Sequence, residues 1–277
     1  MVFTKFARRA FEELAEQGLG VAVRAAAYIV GSQTGRNFFD VELPWGRLAV
    51  PANRKKLGVG GMIFSQRDTY EPHLQPYFAA CDSAFIDIGA NLGYWSIFVA
   101  ENMARHNISA PVIAFEPMPE NFRLLQRNAG LSTRRSTIRT EQIALGASSG
   151  LISMTPSNDD PGSCFVDRTV SGSVQQMPLD EYLKTEQIGR VGLIKIDVEG
   201  YECEVLSGAQ KTIVKHSPVV ICEVIDSYLA RNGRKPSDIF NLFASIGYAG
   251  RLAAEGGLHA EFGFVSNGDY IFSPRMN

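Results

Sequence analysis

Residues 85–95 read FIDIGANLGYW. A short apolar run closes on Asp87, a turn of small residues follows, and a helix-forming segment begins after it, which predicts a strand, a glycine turn and a helix. Gly89 and Gly93 carry no Cβ, so the backbone can approach a ligand closely there. The free amides of the next helix point into the same space. The stretch therefore predicts a nucleotide-sized pocket at the carboxyl end of the first strand of an α/β sheet.

The spacing of the turn argues against two common nucleotide-binding motifs. A dinucleotide fingerprint needs a glycine where Tyr94 stands, which disfavours a nicotinamide-dependent oxidoreductase. A phosphate-binding loop needs a lysine after its last glycine, and none follows Gly93. What remains is a turn of the form D-x-G-x-N-x-G, which resembles motif I of the class I S-adenosylmethionine-dependent methyltransferases. The ligand of those enzymes carries a carboxylate and an ammonium group instead of a pyrophosphate.

A second acid supports a nucleoside ligand. Residues 112–117, VIAFEP, predict a buried strand that ends at Glu116, 27 residues after Gly89. Ribose-binding acids follow the glycine turn of such folds by about 20 residues. A carboxylate accepts hydrogen bonds from two neighbouring hydroxyl groups, which is the chemistry of ribose binding.

A third block, LIKIDVEGYE over residues 193–202, places two acids after another buried strand. Carboxyl ends of strands share one crevice in doubly wound folds, so we expect Asp197 and Glu199 to converge on the glycine turn. Two interpretations stay open. The acids act as a base or metal ligand, or they are structural acids favoured by a helix N-terminus. Glu202 and Glu204, farther along, are expected on a solvated helix face.

Taken together, these blocks resemble the FkbM-type methyltransferase family over roughly residues 60–250. The blocks are DIGANLG at 87–93, FEP at 115–117, KIDVEGYE at 195–202 and LSGA at 206–209, with YEP at 70–72, PGS at 161–163 and LD at 179–180 in similar places. The resemblance implies an S-adenosylmethionine-dependent O-methyltransferase that acts on hydroxyl groups of sugars, glycans or related natural products.

The resemblance also assigns roles to individual residues. It places Asp87, Gly89, Asn91 and Gly93 around the methionine end of S-adenosylmethionine, Glu116 at the ribose, Ala144 near the adenine, and Asp197 and Glu199 as catalytic residues facing the methyl group and the incoming hydroxyl. Too few acids converge to predict a magnesium site. Two alternatives stay open: a nucleic-acid or other small-molecule methyltransferase, and a non-catalytic nucleotide-binding module.

Alternating strand and helix patterns after residue 81 predict a doubly wound, seven-stranded, mostly parallel, Rossmann-like α/β sheet over 81–277, with an antiparallel hairpin at its edge. Residues 1–80 predict an N-terminal extension with a helix over 3–30 and short strands at 38–43, 47–50 and 61–64. This extension is expected to act as a lid over the site or as a contact between copies of the chain. Within the central sheet, strands are predicted at 84–88, 112–115, 138–144, 193–196 and 219–224, and a helix at 94–105 follows the first of them. Residues 156–173 predict a long loop between strand-like segments at 151–154 and 174–177.

The composition limits the classes of binding partner that we expect for this protein. The 277 residues carry a net charge of −2, so no basic field favours nucleic acid or an anionic membrane. The four cysteines form no C-x-x-C pair and the four histidines are scattered, so we expect free thiols and no zinc site. Neither a membrane-spanning stretch nor a signal peptide is predicted. We expect a cytoplasmic protein whose partner is a small-molecule or glycan acceptor.

Overall fold

The fold is taken from a computed structural model, which describes residues 19–52, 58–67, 70–156, 164–167 and 172–275. The first part of the predicted N-terminal helix, and residues 157–163 and 168–171 of the predicted 156–173 loop, lie outside these residues. No helix among the described residues is long and apolar enough to cross a membrane.

The described residues form helices and strands that alternate through most of the chain. The strands are β1 (Phe38–Leu43), β2 (Gly46–Pro51), β3 (Ala84–Ile88), β4 (Val112–Phe115), β5 (Ile138–Glu141), β6 (Ala144–Leu145), β7 (Gly150–Pro156), β8 (Cys164–Asp167), β9 (Val174–Met177), β10 (Val191–Ile196), β11 (Val219–Val224), β12 (Tyr248–Ala254), β13 (Gly257–Leu258) and β14 (Gly268–Pro274). The helices are α1 (Leu19–Ser32), α2 (Gly58–Gln66), α3 (Gln75–Ala79), α4 (Tyr94–Arg105), α5 (Pro119–Leu131), α6 (Leu179–Tyr182), α7 (Glu202–His216), α8 (Asp226–Arg231) and α9 (Pro236–Ser245).

The central sheet confirms the α/β class and corrects the strand count. Its order is β5-β4-β3-β10-β11-β14-β12-β13, which makes eight strands where seven were predicted. The five strands from β5 to β11 pair in parallel, whereas β14, β12 and β13 pair antiparallel, so the sheet is mixed. The additional strand, β13, has only two residues and extends the predicted hairpin. It carries too short a pattern to be read from the sequence.

A second, four-stranded sheet with the order β6-β9-β7-β8 covers the segment predicted as a loop. Strands β7 and β9 fall where flanking strands are expected, but β8 lies inside the predicted loop and pairs with β7 antiparallel. The strand predicted over 138–144 is split between the two sheets. Ala144 therefore does not end the third strand of the central sheet but pairs with Gln176 in the second sheet.

The N-terminal segment packs onto the domain that follows. Tyr28 and Phe39 share one hydrophobic cluster with Phe85 and Trp95 of the central domain. The predicted strand at 61–64 is wrong, because these residues belong to helix α2. A Cβ on Gly60 would lie 2.7 Å from the Pro51 ring, so the absence of a side chain lets the helix pack directly on β2.

One buried amide ties the N-terminal hairpin to the glycine turn. The side chain of Asn128, on α5, accepts a hydrogen bond from the Ala49 amide at 2.7 Å and donates to the Ala49 and Leu92 carbonyls at 2.9 and 2.8 Å. Asn128 is fully buried, and a buried amide left without partners would cost about 1–3 kcal/mol. The hairpin therefore helps to hold the turn that follows β3.

Candidate active site

A cavity of about 220 Å³ opens at the carboxyl ends of β3, β4 and β10. Seven of the eight residues that the sequence predicts for the site line it: Asp87, Gly89, Asn91, Glu116, Ala144, Asp197 and Glu199. Gly93 is not among the residues that line the cavity. The convergence expected for the three sequence blocks is therefore observed in the fold.

The turn after β3 needs its glycines for different reasons. Gly89 has a φ of 80°, and a Cβ there would clash with the backbone carbonyl oxygen of Asp197. Gly93, with a φ of 90°, begins α4, and a Cβ there would lie 2.7 Å from Leu125. Gly89 thus lets β3 and the end of β10 come together at the cavity, whereas Gly93 lets the turn pack against α5.

Glu116 and the glycine turn form one hydrogen-bonded unit. The two carboxylate oxygens of Glu116 accept the amides of Asn91 and Met118, each at 2.9 Å. Asn91 adopts a left-handed φ of 51°, which turns its amide toward this carboxylate. Glu116 is 4% exposed, and burial raises its pKa to about 7, although the two amides oppose the shift. The acid predicted to bind ribose is therefore fixed beside the turn predicted to bind the methionine end.

Part of the cavity lining is apolar. The apolar lining residues include Phe115, Ile143, Ala144, Leu145, Met154 and Val166. Cys164 also lines the cavity, and burial raises the pKa of its thiol to about 12, so it remains a neutral thiol. A flat apolar ring suits such a wall.

Asp87 and Asp197 flank the buried Lys195. The Lys195 ammonium donates to Asp197 Oδ2 at 2.7 Å and is 6% exposed. Burial lowers the pKa of Lys195, but the carboxylates of Asp197, Asp87 and Glu71 raise it by more, so the ammonium stays charged. Ser96 donates to Asp87 Oδ2 at 2.5 Å, whereas Asp87 Oδ1 is buried with no hydrogen-bond partner among the described residues.

The turn after β10 is organised by Glu202, which was wrongly predicted to lie on a solvated helix face. Glu202 is 2% exposed, not solvated, and its Oε1 accepts the amides of Gly200 at 3.0 Å and Val198 at 3.3 Å. Glu204 is also buried and accepts from Arg234. Glu199 lies within this turn at a left-handed φ of 57° and lines the cavity. Glu202 thus shapes the turn that presents Glu199.

Two acids that were not predicted as site residues, Glu71 and Glu223, line the cavity, and Asp269 pairs in register with Glu223. Glu71 lies on the loop between α2 and α3 and accepts the Trp95 indole N–H at 2.9 Å. Glu223 follows the core of β11, and its register partner on β14 is Asp269, which pairs with His73 at 3.3 Å. The ends of β10, β11 and β14 therefore carry a row of carboxylates. The acid that follows VVIC at 219–222 was the available signal for Glu223, whereas Asp269 carries no pattern of its own.

The charge of the cavity follows from this lining. Among the described lining residues, six are acidic, namely Glu71, Asp87, Glu116, Asp197, Glu199 and Glu223, and Lys195 is the basic one. The lysine is already paired with Asp197. Such a cavity attracts a cationic ligand and opposes a pyrophosphate. No group of three or more metal-ligating side chains occurs among the described residues, so they give no support for a metal centre.

The order of motifs along the chain matches a known family. Residues 87–249, from the acid of the glycine turn to β12, match the model of the methyltransferase FkbM domain. The chain belongs to the FkbM methyltransferase family. This match covers more than half of the chain and includes every residue that the sequence predicts for the site.

Curated relatives of this FkbM domain protein are distant. The methyltransferase sdnD of Sordaria araneosa is 29% identical over 159 residues, which cover 46% of this chain and 60% of that protein. The hexuronic acid methyltransferase AglP of Haloferax volcanii is 28% identical over 141 residues, which cover 50% of this chain and 55% of that protein. The matched region therefore spans little more than half the length of these relatives.

A solved structure of an FkbM methyltransferase from Methylobacillus flagellatus is also similar to this chain. It aligns with a TM-score of 0.45 and 17% identity, over 91% of this chain and 59% of that one. An O-methyltransferase from Bacillus cereus aligns with a TM-score of 0.43 and 9% identity, over 74% of this chain and 82% of that one.

Proposed function

We propose that this protein is an S-adenosylmethionine-dependent O-methyltransferase whose acceptor is a hydroxyl group of a sugar, a glycan or a related natural product. The observation that carries the proposal is the hydrogen bond from the Asn91 amide to the Glu116 carboxylate. It joins the glycine turn and the acid at the end of β4 into one rigid wall, as a nucleoside ligand requires.

The residues at the cavity fit a sulfonium nucleoside. Within the part of the chain that the structure describes, Asp87 Oδ1 is buried without a hydrogen-bond partner, and a carboxylate oxygen in that state favours a cationic donor such as the ammonium group of a methionine moiety. The acidic lining complements the net positive charge of S-adenosylmethionine. The apolar wall at Ala144 suits an adenine ring.

Each end of the cofactor would have its own binding residues in this arrangement. Asp87, Gly89 and Asn91 would hold the methionine end, Glu116 the ribose hydroxyls and the wall around Ala144 the adenine. When bound, S-adenosylmethionine supplies an electrophilic methyl group. The rest of the catalytic task falls to the protein, which must align an acceptor oxygen and exclude water.

The acceptor would enter on the opposite side of β3 from Glu116. In the sheet order, β4 lies on one side of β3 and β10, β11 and β14 lie on the other. Asp197 and Glu199 follow β10 and line the cavity on this second side. We assign them the role of binding and orienting the acceptor hydroxyl, because carboxylates accept hydrogen bonds from hydroxyl groups. The proposal of a sugar acceptor is supported by the Haloferax relative, which is a hexuronic acid methyltransferase.

Calorimetry and product analysis test the proposal in sequence. S-adenosylmethionine and its demethylated product should bind, whereas NAD should not. Mass spectrometry of a panel of methyl glycosides, incubated with the protein and S-adenosylmethionine, should then show one added methyl group. Failure of S-adenosylmethionine to bind would refute the cofactor assignment. Binding without methylation of any glycoside would refute the assignment of the acceptor class.

A further inference from the structure

We propose that Glu71 is the catalytic residue that accepts the proton of the acceptor hydroxyl during methyl transfer. This inference rests on the proposed function, since it assigns a step of that reaction. The proton is transferred to Glu71 and not to Asp197 or Glu199, the two acids that the sequence predicts as catalytic residues.

Position is the first argument. Glu71 lines the cavity together with Asp197 and Glu223, although it comes from the loop between α2 and α3 and not from the sheet. Its carboxylate is close enough to Lys195, Asp197 and Asp269 to feel their charges. Glu71 therefore faces the ends of β10 and β14, which is the side of the cavity assigned above to the acceptor.

The side chain of Glu71 is held in one orientation. The Trp95 indole donates to Glu71 Oε2 at 2.9 Å, and Trp95 itself is stacked on Phe78 with ring centroids 4.0 Å apart. The hydroxyl of Tyr70 also forms a hydrogen bond to Glu71. A buried carboxylate fixed by an indole keeps its position as it gains or loses a proton.

The backbone of Glu71 is strained. Its φ of 44° lies in the left-handed region, where a residue with a side chain costs about 1 kcal/mol or more. Strain of this kind persists only where the surrounding structure imposes it, and it concentrates at functional sites. The strained conformation directs Glu71 into the cavity.

The basicity of Glu71 suits it to accept a proton. Burial, together with the charges of Asp269 and Asp197, raises the pKa of Glu71 to about 7, although Lys195 and the Trp95 hydrogen bond oppose the rise. The other charged or titratable groups around it are His73 and Tyr70 on its own loop, Asp87 on β3 and Glu223 on β11. A general base works best with a pKa near the working pH. Asp197, in contrast, gives one carboxylate oxygen to the Lys195 ammonium at 2.7 Å, which suits it to orient a hydroxyl.

The step balances without any further reactant. The acceptor O–H bond breaks and its proton moves to the Glu71 carboxylate. The acceptor oxygen forms a bond to the methyl carbon, the carbon–sulfur bond breaks, and its electron pair stays on sulfur. Glu71 then returns the proton to solvent.

The Glu71→Gln variant tests the role through a pH profile. On the methyl glycoside that the wild type methylates best, kcat/KM should rise with pH and level off above about 7. In Glu71→Gln, kcat should fall by roughly 10²–10⁴-fold and this rise should disappear. Asp197→Asn should be slower but keep the rise. Retention of the rise in Glu71→Gln, or its loss in Asp197→Asn alone, would overturn the proposal.

A measurement that needs no turnover separates this proposal from the proposed function. The chain has two tryptophans, so Trp45→Phe leaves Trp95 as the single reporter of Glu71. Trp95 fluorescence should titrate near pH 7 in Trp45→Phe and should not titrate there in Trp45→Phe/Glu71→Gln. Identical titrations in both variants would refute the role of Glu71, even if S-adenosylmethionine binds. Absence of cofactor binding with a normal titration would instead refute the proposed function.

Discussion

The positive charge of Lys195 offsets the negative charges of the acidic cavity. Replacing Lys195 is therefore the most informative test of how these charges affect the stability of the fold. The ammonium is 6% exposed, donates to Asp197 at 2.7 Å and also interacts with the charges of Asp87 and Glu71. Lys195→Met keeps the length of the side chain and removes the charge. The three carboxylates would then share a buried site without a cation.

The size of the effect follows from the burial of these groups. Removing one partner of a buried ion pair costs about 3–5 kcal/mol. At about 2–4 °C per kcal/mol for a large domain, Lys195→Met should lower Tm by about 10 °C at pH 8. The loss should shrink as the pH falls, because carboxyl groups whose folded pKa is raised, such as Asp87 and Glu71, are destabilising only while they are ionised.

Thermal unfolding followed by circular dichroism at pH 8 and pH 5.5 measures both effects. The matched control is Lys211→Met, because Lys211 lies exposed on α7 and should change stability by less than about 0.5 kcal/mol. Equal Tm losses at the two pH values, or a loss at pH 8 no larger than that of Lys211→Met, would show that the Lys195 ammonium does not stabilise the ionised carboxylates of the cavity.

Three further predictions concern ligands. Glu116→Gln should weaken S-adenosylmethionine binding by about 10-fold or more in calorimetry, because charged hydrogen bonds contribute about 1.5–3 kcal/mol, whereas the exposed Glu120→Gln should not. Glu199→Gln should slow turnover while cofactor affinity stays within about threefold, since a carboxylate that orients only the acceptor leaves cofactor affinity unchanged. A methyl glucuronide should be methylated more slowly than methyl glucoside in initial-rate assays, because the carboxylates of Asp197 and Glu199 on the acceptor side of the cavity oppose another carboxylate; faster methylation of the glucuronide would refute that reasoning.

Much of the cavity was predictable because its determinants are local. A strand that ends in an acid and leads into a glycine turn has a recognisable local sequence pattern. The observed bounds of β3, α4, β4 and β11 therefore agree with the predicted ones. The convergence of Glu116 and Asp197 on that turn follows from parallel pairing alone. The family match over residues 87–249 rests on the same blocks.

What could not be predicted depends on contacts between distant segments. Glu71 reaches the cavity through a strained loop and a hydrogen bond to Trp95, and neither leaves a periodic pattern. Gly58–Gln66 contains an apolar stretch that suits a strand, yet packing of Gly60 on Pro51 makes it a helix. Glu202 carries the spacing of a solvated helix face, but it folds back onto the amide of Gly200.

The acidic residues of the cavity also affect the free energy of the proposed methyl transfer. A sulfonium carries a positive charge, and its transfer of a methyl group to a neutral hydroxyl leaves that charge on the new oxonium unless a base removes the proton. In a cavity that excludes water, separated charges interact more strongly than in solution. Proton uptake by a buried carboxylate such as Glu71 cancels one negative charge as the positive charge disappears, so the cavity passes from an ion pair to a neutral pair. Burial, which raises the pKa of Glu71, disfavours its ionised form and thereby favours the products. The attraction between the acids and the sulfonium stabilises the reactants, whereas the burial of Glu71 favours the neutral products.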